Sequence, residues 1–237
     1  MKNIKYLLVL LVLFPLFTSC DSEGLCMKGE GDTETRSLDI APLEGIDVSG
    51  SMRVFIRKGS PQRVEVEGQR NVLDELGTKV QDGVWDIEFN RCIRDHNPVM
   101  VYITTPEIRQ ASVGGSGYVE LEDVFESEEF DASVSGSGDM KLRLATNRLN
   151  SRISGSGTIT AAGVASRHDI SISGSGNNQS FDLTTREAEI DISGSGKAEV
   201  NVEERMDVEI SGSGRVYHQG SPTINADVSG SGKVIRK

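Results

Sequence analysis

The chain has 237 residues, a formal net charge of −11, 36% hydrophobic content and only 5% aromatic content. That length allows one domain or a domain with a small cap, and sparse aromatics suit thin repetitive walls better than one large core. The acidity argues against nucleic acid as a partner.

Residues 1–19 carry Lys2 and Lys5 and then an apolar run from Tyr6 to Phe17, the pattern of a secretory signal too short to be kept as a spanning helix. Phe17-Thr18-Ser19-Cys20 resembles a bacterial lipobox, which implies that Cys20 becomes the lipidated first residue and places the protein on a membrane without spanning it. Asp21, Ser22 and Glu23 resemble the surface-export signals of some Bacteroidetes lipoproteins, so an outer membrane lipoprotein facing the periplasm or the cell surface is expected. Residues 20–40 read as the lipidated start and a polar tether. With Cys20 lipidated, Cys26 and Cys92 are left as an even pair in an oxidising compartment; a disulfide and two separate thiols both remain open from spacing alone.

Residues 41–110 read as an irregular β-rich first half that caps or opens the repeats after residue 110. Val48-Ser49-Gly50-Ser51-Met52-Arg53-Val54 is a degenerate copy of Val228-Ser229-Gly230-Ser231-Gly232-Lys233-Val234, so a first coil is expected to begin there. Strands are predicted over residues 53–57 and 63–67 around Lys58-Gly59-Ser60-Pro61, a helical turn over 71–76, a hairpin at Asp82-Gly83 and a strand over 99–104. Trp85, the single Trp, is expected in the core.

Residues 111–237 carry a returning tetrapeptide, Gly114-Gly115-Ser116-Gly117 and then Ser-Gly-Ser-Gly from Ser135, Ser154, Ser173, Ser193, Ser211 and Ser229. A period of about 20 residues marks a stacked repeat. Slack Gly-Ser linker is excluded by the flanks, because the residue before each tetrad is always Val or Ile and side chains alternate around it. The parity places the two glycines inward and the two serines outward. The predicted fold is all-β, a right-handed parallel β-helix whose coils stack equivalent residues in columns.

Outward columns include Glu189, Asp191, Asp207, Glu209 and Asp227, a stacked acidic patch that suggests either a solvated charged face or a weak Ca²⁺ site. The seven Gly-Ser-Gly copies lack an accompanying His and Asp and are no nucleophile elbow. His96, His168 and His218 are scattered, His168 at an inward position, which favours structural roles. No catalytic residue and no cofactor is implied.

The VSGSG and ISGSG repeats, Asn71-Val72-Leu73-Asp74 and Val101-Tyr102-Ile103-Thr104-Thr105-Pro106, behind a lipobox, resemble the auto-transporter adhesin head GIN domain family of Bacteroidetes lipoproteins. The resemblance implies a right-handed β-helix and an adhesin role. The expected function is a non-catalytic cell-envelope lipoprotein, held to the membrane by its lipid and used for adhesion or for binding a protein or glycan ligand. The alternative is a carbohydrate-active β-helix enzyme, a polysaccharide lyase or hydrolase.

Overall fold

The computed structural model describes residues 26–237, so the export segment and Cys20 lie outside the described residues. The first strands are β1 (Met27–Lys28), β2 (Thr33–Leu38), β3 (Gly45–Gly50), β4 (Arg53–Lys58) and β5 (Arg63–Gln69), followed by the short helix α1 (Arg70–Leu73). Next come β6 (Val80–Gln81), β7 (Val84–Ile87), β8 (Ile93–Arg94), β9 (Met100–Thr105), β10 (Gln110–Gly115) and β11 (Tyr118–Leu121). The longer strands are β12 (Phe125–Gly136), β13 (Asp139–Gly155), β14 (Thr158–Gly174), β15 (Asn177–Gly194) and β16 (Lys197–Gly212). The last are β17 (Arg215–Gln219), β18 (Thr223–Gly230) and β19 (Lys233–Arg236).

From β10 onward each coil lies in parallel register on the one before, and every tetrad sits over its predecessor: Gly115 on Gly136, Gly136 on Gly155, Gly155 on Gly174, Gly174 on Gly194. The fold is the predicted β-solenoid. An entry wall leads into the tetrad and an exit wall leaves it, and the ladders skip the exposed Asn147 at the far corner of the β13 coil.

The two glycines of a tetrad do different work. The first is not inward as expected but half-exposed or exposed, and it takes positive φ, between 110° and 126° from Gly115 to Gly230, a region that an L side chain avoids, so it makes the corner. The second is buried from Gly117 to Gly214 and lies against the β-branched residue that precedes the previous tetrad: a Cβ on Gly196 would stand 2.5 Å from Ile172 Cγ2. The recurring Val or Ile before each tetrad therefore fills the space that the next coil's glycine leaves. The serines point outward, as expected. Their amides join the coils, Ser175 N–H donating to the Gly155 carbonyl at 2.8 Å and Ser195 N–H to Gly174 at 2.8 Å.

Inward columns form a narrow dry core, with Ile170, Ile172, Ile190, Ile192, Val208 and Ile210 all buried on the entry wall. Polar side chains interrupt it in places. Ser151 Oγ and His168 Nε2 are hydrogen-bonded at 2.9 Å, and Ser180 donates to Asn178 Oδ1 at 2.6 Å.

The first half is more regular than its sequence implied. Val48 stacks on Val113 and Gly50 on Gly115, so residues 45–58 are a true coil, with the buried Met52 in place of the second glycine. Its other edge is also occupied, β7 pairing with β3 and β9 with β4 in parallel. The chain thus lays down the second layer first, winds out to make the first layer, and returns across to begin β10. The predicted strands at 53–57 and 63–67 do not pair with each other, because β9 lies between them and bonds β4 in parallel and β5 antiparallel. The stretch read as tether is ordered from Cys26: β2 pairs antiparallel with β5 and closes this end. The Asp82-Gly83 turn is the expected hairpin, with φ of 51° and 78° and Val80 opposite Trp85. Trp85 is fully buried and its Nε1–H donates to the Gly77 carbonyl at 2.9 Å.

Candidate functional site

The acidic column forms in the predicted register, Glu189 on Asp207 and Asp191 on Glu209 on Asp227. It is a row of carboxylates, part of which is taken up by arginines. Arg167 pairs with Asp169 and Glu189, while Arg205 pairs with Glu187 and Asp207, so two of the five carboxylates are already neutralised. Side chains on a parallel ladder stand in a row and do not surround a point, and among the described residues no three His, Cys, Asp or Glu side chains gather to hold a metal. Partial burial, with Glu209 and Asp169 close by, pushes the Asp191 carboxyl above its ordinary value.

Cys26 and Cys92 are joined as a disulfide with a Cα–Cα distance of 4.7 Å, tying β1 alongside β8. Ser151 and His168 have the spacing of a nucleophile and base, yet both are fully enclosed in the core. Burial alone drives the His168 imidazole down to about 3, so it is neutral and structural.

Aromatic side chains gather elsewhere, on the outer face of the exit wall, where no sequence pattern pointed. Parallel pairing of β4 with β9 sets Phe55 beside Tyr102, their rings stacked with centroids 5.6 Å apart and planes 18° apart. On the other side β11 brings Tyr118 to 5.9 Å from Phe55, tilted by 55°. The Arg53 guanidinium lies 4.9 Å from the Tyr118 ring centroid and covers that ring. The Tyr118 hydroxyl donates to Glu120 at 2.7 Å, and burial together with that carboxylate raises the phenol to about 12. Tyr102 is left with 39% of its surface exposed. Alongside runs a groove of about 370 Å³ lined by Phe55, Tyr102, Arg57, Arg63, Glu65 and Thr104. Arg57 is held by Glu122, whereas the side chains of Arg63 and Glu65 have no hydrogen-bond or ion-pair partner among the described residues.

Residues 42–222 match the family described as "Putative auto-transporter adhesin, head GIN domain", a span covering most of the chain. The chain belongs to this family. The head GIN domain fold is also that of solved structures from Bacteroides and Parabacteroides. One is described as a "putative adhesin" from Bacteroides fragilis, 21% identical over 89% of this chain and 100% of that one, with a TM-score of 0.84. A "putative lipid binding protein" from Parabacteroides distasonis is 24% identical over 89% of this chain and 99% of its own, with a TM-score of 0.77. A "putative adhesin" from Parabacteroides merdae is 23% identical over 90% and 99%, with a TM-score of 0.74. No curated protein matches. In this head GIN domain the platform lies within the matched span, on its first coils.

Proposed function

We propose that the protein is a non-catalytic envelope lipoprotein, anchored through Cys20 in the outer membrane, whose solenoid is an adhesive scaffold and whose binding face is the Phe55–Tyr102–Tyr118 platform. The observation that carries the reading is the exposure of Tyr102 over a ring stack beside a polar groove. Aromatics exposed in a cluster on a rigid wall gain free energy only by being covered. The backbone of the platform is held by strands paired on both sides, so little backbone order is lost on binding.

Three measurements test it. Cys20→Ser should move the protein from the membrane to the soluble fraction; unchanged membrane retention would defeat the lipoprotein reading. Tyr102→Ala should abolish binding of the labelled protein to isolated cell envelopes while leaving it folded, with only the modest drop in melting temperature that loss of the Phe55 stack brings, and full retention of binding would move the adhesive face elsewhere. New reducing ends or unsaturated products after incubation with polysaccharides would favour the lyase or hydrolase reading instead.

A further inference from the structure

Resting on that adhesive reading, we propose that the platform takes a neutral glycan, one sugar ring stacking on Tyr102 with its hydroxyls shared between Arg63 and Glu65. Cross-strand partners put Glu120, Phe55, Tyr102 and Glu65 in one row over four adjacent strands, with Arg57, Thr104 and Arg63 in the next. A pyranose ring has the matching anatomy. One face presents a patch of C–H groups that packs on an aromatic ring, and its rim carries hydroxyls that both donate and accept. At the rim of Tyr102 stand a guanidinium that only donates, a carboxylate that only accepts and a threonine hydroxyl that does both. Arg63 and Glu65 being free of other partners among the described residues, they can bind hydroxyls without breaking an existing pair.

The same observations disfavour other occupants. A peptide adding as a strand needs an open edge, and β4 and β9 are each paired on both sides. An acyl chain needs an enclosed apolar slot, whereas this groove is open and half lined by charged side chains. An acidic glycan would meet the unpaired Glu65 in the field of a molecule whose net charge is −11. One free cation beside one free anion leaves the rim neutral, which matches an uncharged sugar.

The test uses the mature chain with Cys20→Ser and measures binding by calorimetry and affinity electrophoresis to mixed-linkage β-glucan, xyloglucan, galactomannan and soluble starch, with polygalacturonate as the acidic comparison. At least one neutral polysaccharide should bind, with Tyr102→Ala weakening it about tenfold or more in a protein that remains folded, and with Arg63→Ala and Glu65→Gln, at unchanged melting temperature, each weakening it several-fold. Preference for polygalacturonate, binding indifferent to Tyr102→Ala, or no binding to any neutral glycan overturns the assignment. Envelope binding measured in parallel separates the two levels: its loss in Tyr102→Ala without any glycan binding condemns the sugar and keeps the face, while its survival condemns the face.

Discussion

A methyl group on Gly174 would sit 2.7 Å from the Gly155 carbonyl oxygen, on a backbone whose φ of 116° already disfavours any L side chain. Both terms act together, and the obstacle is backbone that cannot swing aside. Gly174→Ala should cost roughly 2–4 kcal/mol in urea unfolding, and a cost below about 0.5 kcal/mol would show that the corner relaxes. His168 gives a different residue-scale signature. Its folded value is about 3 against an ordinary 6.5, so the unfolded chain binds the proton first as the solution is acidified. Its contribution is complete above about pH 6.5 and is lost as the pH falls toward 3, with a slope approaching 1.4 kcal/mol per pH unit. Stability of His168→Leu should fall less steeply than the parent's across that window; parallel curves would refute the neutral buried imidazole.

At the scale of the element, Ile172 shows why the ladders hold. It is buried on the entry wall between Ile153 and Ile192 and fits beneath Gly196 of the next coil. Ile172→Asp would drive a charge into that column and should cost about 3–5 kcal/mol, enough to unfold the chain at moderate denaturant; a loss under 1 kcal/mol would mean that the column is wet. These columns were legible in the sequence because parallel in-register stacking repeats the same environment every coil, so tetrad, flank and parity all recur. The platform was not legible. Phe55, Tyr102 and Tyr118 come from three segments that share no period, and they meet only because β9 inserts beside β4 while β11 takes its other edge. The tether failed for the opposite reason: Thr33–Leu38 is half-exposed and polar, and its order comes from β5 and from the nearby disulfide. The acidic column was read in correct register, but the arginines that pair with Glu189 and Asp207 stand one column away, where spacing from the tetrad gave no hint of pairing.

For the molecule as a whole, the Cys26–Cys92 bridge closes a span of 66 residues that contains the first coil and most of the cap. Chain-entropy reasoning gives such a loop about 4 kcal/mol of stabilisation. Cys26→Ser with Cys92→Ser should lower stability by about 2–4 kcal/mol, read as a drop in melting temperature, and an unchanged melting temperature would confine the bridge to local tethering. The out-of-order winding has a separate consequence for how this protein can change length. Both edges of the 45–58 layer are spoken for, one by chain between Val84 and Thr105 and one by chain that arrives after Thr105. Whole turns can therefore be duplicated or deleted among the Ser-Gly-Ser-Gly rungs, leaving the platform intact, while an extra turn near the cap would unthread the lattice it depends on. Reach is adjustable at one end only, and the proposed recognition surface sits at the end that must stay fixed.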